Sequence, residues 1–262
     1  MKRRIRMLAS IMLLCCWLPA ASSADDISLT NIVRNGLTSE FETLAGDLGE
    51  ALGPKRVGPA ASLGALGFDL SLEVSNTLVK SDSSAWRSAD PDMNGSLTSL
   101  QLQVRKGLPF SFELGGTVTY MPTGDMWGIG LGLKYALIEG YRYIPDMAVR
   151  VSVFTALGNR DLNMLMVGSD FVISKSFGLG GAVAFVPYAG YSLLYVRATT
   201  NVVGYFDDGA TTPSFNVLPI SDIVRHRVSL GVEVKVTLVS IGIEALLSGG
   251  IQTITTRVGV DF

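Results

Sequence analysis

The sequence predicts an all-β fold, a transmembrane antiparallel up-and-down β-barrel of about ten strands with a short N-terminal amphipathic helix. Three observations predict it. Apolar and polar residues alternate with period two in segment after segment from residue 65 to residue 262. Mean hydropathy is +0.37, only 17% of residues are charged and 29 are glycine, a balance too apolar for a water-soluble domain but suited to a barrel whose outer face meets lipid. The third is an export leader at the N-terminus.

Lys2, Arg3, Arg4 and Arg6 form a basic region, Met7 to Leu18 an apolar one, and Ser22-Ser23-Ala24 a small-residue cleavage site. This predicts a signal peptide over 1–24, Sec-type export and a mature chain beginning near Asp25. Arg3-Arg4 lacks the flanking residues of a twin-arginine signal, and neither Cys15 nor Cys16 follows the small residue that lipid attachment requires. Both cysteines leave with the leader, so thiol, disulfide and cysteine-metal chemistry are excluded from the mature chain. Cleavage also leaves 17 basic against 23 acidic residues, a net charge of −6, and nucleic acid is not an expected partner.

Residues 25–64 read as a periplasmic N-terminal segment and 65–262 as the barrel. Within the segment, Leu37, Phe41, Leu44, Leu48 and Leu52 recur at helical spacing, with Glu40, Glu42, Asp47 and Glu50 on the polar side and Thr38 or Ser39 as a cap. Gly53-Pro54 ends this helix near 37–52. A surface helix closing the periplasmic mouth is preferred to a plug in the lumen.

The strands follow in order. Ala65–Leu78 sets Leu66, Phe68, Leu70, Leu72 and Val74 outward against Asp69, Ser71, Glu73 and Ser75. Leu97–Lys106, Phe110–Tyr120, Met126–Ala136 and Met147–Ala156 alternate in the same way. Leu162–Ser174 is noisier, and Ala182–Arg197 is ambiguous in phase. Val224–Val236 and Leu238–Leu247 are regular again. Short links are placed at Lys106–Pro109, Ser176–Gly180 and Lys235–Thr237 on one side, with a longer one at Ile138–Asp146. The long connections 79–96 and 198–222 fall on the other side.

The final strand is the most telling. Ile254, Thr256, Val258, Val260 and Phe262 point one way and Thr253, Thr255, Arg257, Gly259 and Asp261 the other, and the chain stops on the aromatic. This strand resembles the closing strand of bacterial outer-membrane β-barrels. The resemblance implies that Val258, Val260 and Phe262 form an assembly signal read by the barrel-assembly machinery, with periplasmic chaperones as further biogenesis partners. It implies the outer membrane of a Gram-negative cell envelope as location, with outer-membrane lipids and lipopolysaccharide as surroundings.

Two other folds are weighed. Ser176–Val196 has no Asp, Glu, Lys or Arg over a length that could cross a bilayer, but Gly178, Gly180, Gly181, Pro187 and Gly190 are poor in a helix interior. A soluble antiparallel sandwich needs neither an apolar band on every strand nor an export signal.

Alternation puts Asp69, Glu73, Glu113, Asp170, Glu233, Glu244 and Asp261 in the lumen with Arg105, Lys134, Arg150, Arg227, Lys235 and Arg257. Seven acids facing six bases predict a lumen laced with ion pairs, since unpaired charges in so narrow a space are costly. A wide, water-filled pore is not expected. Gly128, Gly130 and Gly132 also face inward and make room there.

Asp90, Asp92, Asn94 and Gly95 match a calcium loop at positions 1, 3, 5 and 6, but Gln101 stands where a bidentate Glu belongs. A polar turn is the preferred reading, and no cofactor other than calcium is in view. The single histidine, His226, is on outward parity without a legible Ser or Asp partner, so no catalytic residue is assigned. The function that follows is a structural, surface-interacting or narrow-passage barrel. The alternatives are a lipid-modifying outer-membrane enzyme and a small porin or transporter gated by the N-terminal helix.

Overall fold

In the computed structural model, which describes residues 27–55, 57–91, 93–179, 183–206 and 214–262, the strand alternation closes on itself. Two helices come first, α1 (Thr30–Arg34) and α2 (Thr38–Leu52), then β1 (Phe68–Leu78), a short α3 (Ser84–Ala89) and β2 (Ser96–Gly107). Next are β3 (Phe112–Met121), β4 (Met126–Ile138), β5 (Asp146–Leu157), β6 (Leu162–Ser174), β7 (Phe177–Leu179) and β8 (Val183–Thr200). A small ribbon, β9 (Gly204–Phe206) with β10 (Ser214–Asn216), precedes β11 (Ser221–Val236), β12 (Val239–Ser248) and β13 (Ile251–Asp261).

Each long strand pairs antiparallel with its sequence neighbour, β13 pairs with β1, and β8 pairs with β11. Among the described residues ten strands therefore form a closed barrel with no free edge. Phe68 and Phe262 seal the β1–β13 seam, exchanging two backbone hydrogen bonds (2.6 and 2.8 Å) with their rings stacked at 5.2 Å.

One end of the barrel, the base, carries the start of β1 and the end of β13. The other end, the rim, carries the 79–95 and 201–220 connections and the tight turns after β3, β5 and β12. The outer face is apolar along its height, with Leu72, Leu131, Val151, Leu230, Ile243 and Ile254 about half exposed or more. Aromatic residues mark both ends of that face. Phe112 stacks on Tyr135 toward the base, and Tyr120 packs against Trp127 toward the rim. An apolar band between two aromatic girdles is the surface that lipid selects.

The sequence reading is corrected in three places. Leu66 and Phe110 belong to turns at the base rather than to strands. The turn expected at Ser176–Gly180 is partly strand, for β7 continues the register of β6 along β8. The break between them lies opposite Pro187, which has no N–H to give and instead accepts from the Lys175 N–H at 3.2 Å. The third correction is the largest. The segment expected outside the barrel, on the periplasmic side, runs through its lumen.

Candidate functional site: the filled lumen

Helix α2 sits inside the rim half of the barrel, its apolar side buried. Phe41, Leu44, Leu48 and Leu52 are buried in one cluster with Met121, Met126, Phe154, Met164, Met166, Leu194 and Val196, which project inward from β3, β4, β5, β6 and β8. Each such side chain removed from water contributes about 1.5–3 kcal/mol, so the seat is stable without any single critical contact. Small residues permit the approach: a Cβ on Gly49 would lie 2.6 Å from Val196. Neither Thr38 nor Ser39 caps α2; its N-cap is Leu37, and the Ser39 hydroxyl donates to Glu40.

The polar side of α2 meets charge. Asp47 accepts from the Trp86 indole N–H (2.8 Å) and lies 3.6 Å from Arg225. Glu50 accepts from Ser248 (2.6 Å) and faces Arg227 at 3.6 Å. Above α2, Ile27, Leu29, Ile32 and Val33 pack with Trp86, Ala89 and Leu218 to close the rim.

Beyond Gly53 the chain is irregular, so its backbone groups need partners from elsewhere. The barrel wall supplies them in sequence from rim to base. Gln101 donates to Gly53 O (3.4 Å) and Arg227 to Pro54 O (2.7 Å), while Lys55 donates to the Ser99 hydroxyl. Glu244 accepts from the N–H groups of Val57 (3.1 Å) and Gly58 (3.3 Å), and Ser174 from that of Ala60 (2.9 Å). Lys134 donates to Pro59 O (3.4 Å) and Ala61 O (3.0 Å), and Glu139 accepts from Ser62 N–H (2.6 Å). Two wall glycines leave space for the segment: a Cβ on Gly168 would lie 2.8 Å from Pro54, and one on Gly190 3.1 Å from Val57.

The remaining inward charges form two networks. Arg257 is the hub of the first, paired with Asp69, with Glu233 at 3.3 Å and with Glu73 and Asp261 at 3.8 Å. Asp69 continues to Arg105 (2.9 Å), Arg105 to Glu113 (3.1 Å) and Glu113 to Lys134 (2.9 Å). Lys235 bridges Asp261 (2.9 Å) and Glu233 (3.4 Å). The second runs from Arg150 to Asp170 (2.7 Å), then to Arg227 (3.7 Å) and so to Glu50. Glu244 serves the backbone of the segment, accepting from Val57 and Gly58. Asp47, Glu50 and Lys55 join the lumen from the segment itself, which sequence alternation along the strands had no means to reveal.

Between the segment and the walls of β2–β5 lies a cavity of about 40 Å³, lined by Pro54, Lys55, Gln103, Arg105, Glu113 and Lys134 among others. At roughly 10–15 Å³ per water centre it has room for a few waters and no larger solute.

The calcium-loop, histidine and assembly-signal candidates are not brought together. Gln101 points inward and donates to Thr119 (3.0 Å), so it does not reach the 90–95 loop. Asp90 ends α3, Asn94 precedes the left-handed Gly95, and Asp92 lies outside the described residues, as does the leader 1–24. His226 is on the outer face with its Nδ1 2.6 Å from the Tyr191 hydroxyl. Val258, Val260 and Phe262 also face outward.

No protein-family model matches the sequence, and no curated protein matches it significantly. Among solved structures, the transport unit of the autotransporter AIDA-I from Escherichia coli is similar, with 11% identity and a TM-score of 0.41 over 86% of this chain and 98% of that one. The KdgM porin in complex with disordered oligogalacturonate has 9% identity and a TM-score of 0.35 over 75% and 99%. Neisserial surface protein A has 14% identity and a TM-score of 0.30 over 74% and 95%. These neighbours are bacterial outer-membrane β-barrels, and the strand pairing and lipid-type outer face of this chain give it the same class of fold.

Proposed function

We propose that this chain is an outer-membrane barrel sealed along its length by its own N-terminal segment, with its base toward the periplasm and its rim toward the outside. Its role is structural or surface-interacting, carried out at the rim, rather than the passage of solutes. One observation carries this reading: the backbone of residues 53, 54 and 57–62 is hydrogen-bonded at successive levels to side chains of β2, β4, β6, β11 and β12 and to Glu139 just after β4. A segment held from so many sides is part of the wall packing, not a loosely lodged stopper. Lipids and lipopolysaccharide would surround the apolar face, and the barrel-assembly machinery would read the C-terminal strand.

Planar-bilayer recording tests the seal. The intact protein should show little or no steady conductance, and a variant lacking residues 27–61 should conduct. Steady conductance in the intact protein would overturn the sealed reading in favour of a porin gated by the segment. The lipid-modifying alternative rests on His226 and Tyr191 at the outer face. Mass spectrometry of lipopolysaccharide and phospholipid incubated with the protein tests it.

A further inference from the structure

The segment does more than fill the lumen, because its direction is fixed. Along β4, which runs from rim to base, Leu52 O lies against Gly128, Pro59 and Ala61 bond to Lys134, and Ser62 bonds to Glu139 just past the strand end. Along β6, also running rim to base, Gly53 lies against Met166, Pro54 against Gly168, and Ala60 bonds to Ser174. Both series descend without reversal. From Gly128 to Glu139 a tilted strand covers roughly 25–30 Å along the barrel axis, about the height of a lipid-facing apolar band. The chain thus crosses the barrel once before β1 begins.

At the upper end the contacts are all with rim elements. Ser28 N–H donates to Ala89 O of α3 (3.2 Å), and Ile27 packs so closely on the turn after β3 that a Cβ on Gly124 would lie 2.9 Å from it. Both elements lie at the end opposite Phe68 and Phe262.

We infer that the start of the lumen segment, at Ile27 and Ser28, is displayed on the outer surface, so that it and Phe262 lie on opposite sides of the membrane. The lumen segment is then a built-in crossing, and residues joined ahead of Ile27 would be presented outside the cell. This rests on the proposed placement of the barrel in the outer membrane with its base inward.

The test is single-cysteine labelling of intact cells with a membrane-impermeant maleimide. Ser28→Cys and Asn35→Cys are exposed at the rim and report the start of the segment. Arg160→Cys, in the turn after β5, reports the rim independently, and Tyr143→Cys, in the turn after β4, reports the base. Ser28→Cys and Asn35→Cys should label in intact cells as fully as Arg160→Cys, with Tyr143→Cys labelling only after the outer membrane is permeabilised. If Arg160→Cys labels in intact cells while Ser28→Cys and Asn35→Cys do not, the displayed segment start is wrong and the barrel orientation survives. If Tyr143→Cys labels in intact cells and Arg160→Cys does not, the orientation is wrong and the inference falls with it.

Discussion

Glu244 of β12 holds Val57, 187 residues away in sequence, by accepting its backbone N–H at 3.1 Å, and it accepts from the next N–H, of Gly58, at 3.3 Å. An inward carboxylate that alternation alone would assign to an arginine or lysine also anchors the backbone of an irregular chain. The distinction matters because a backbone N–H has no way to find a substitute partner when the carboxylate is removed.

Glu244→Ala should therefore leave two buried N–H groups without an acceptor, at about 1–3 kcal/mol for each group so stranded. The expected outcome is a lower temperature for the shift between folded and unfolded bands in detergent gels. Glu244→Gln keeps an acceptor oxygen and should recover most of the loss. Equal behaviour of the two variants would show that charge, rather than the hydrogen bonds, is what matters there.

Gly49 and Val196 should be coupled. A Cβ at Gly49 meets Val196 at 2.6 Å, so Gly49→Ala should unseat α2 and raise protease cleavage within residues 38–61. Shortening the opposing side chain in Gly49→Ala with Val196→Ala should restore protection. A double-mutant cycle that came out additive would mean α2 is not seated as described.

Which strands could be read from the sequence follows from what lies behind them. β1, β2, β11 and β12 put Asp69, Glu73, Arg105, Glu233 and Glu244 inside and aliphatic residues outside, so their period-two pattern is plain. β6 and β8 have Met164, Met166, Leu194 and Val196 inside because α2 docks there, so both faces are apolar and the alternation fades. Their poor phase was itself a trace of the helix seat. Residues 53–62 carried no periodic signal at all, because their structure comes from partners on distant strands. The amphipathic pattern of α2 was visible, but an apolar stripe does not say whether it meets lipid, another protein or the inside of its own barrel.

Arg257 should be the most sensitive lumen position. It is fully buried and serves Asp69, Glu73, Glu233 and Asp261 at once, beside the β1–β13 seam. Arg257→Ala takes one shared cation from Asp69, Glu73, Glu233 and Asp261 together, leaving Asp69 to Arg105 and Glu233 and Asp261 to Lys235, a change of about 3–5 kcal/mol when a buried pair is broken. The folded fraction should drop sharply in outer-membrane preparations. Arg257→Lys should rescue only in part, because one ammonium cannot reach partners spread around a planar guanidinium. Wild-type stability in Arg257→Ala would mean that water already serves these carboxylates.

The seam itself makes the last prediction. Phe262 closes the barrel twice over, by the paired backbone bonds with Phe68 and by the ring stack at 5.2 Å, and its side chain remains 62% exposed on the outer face. These contributions separate by substitution. Phe262→Leu keeps the backbone pair and an apolar side chain but loses the stack, worth about 0.5–1.5 kcal/mol. Deleting Phe262 removes the pair as well, leaving Phe68 N–H and C=O unpaired at the base. If the residue mattered only to the finished barrel, both variants should accumulate in the outer membrane and differ in the temperature at which they unfold. If the exposed ring is also read during assembly, the deletion and Phe262→Ser should both accumulate far less than their melting temperatures in detergent account for. Pulse-chase accumulation set against in vitro melting distinguishes the two. Normal accumulation of both variants would remove the assembly role and leave Phe262 as a seam contact alone.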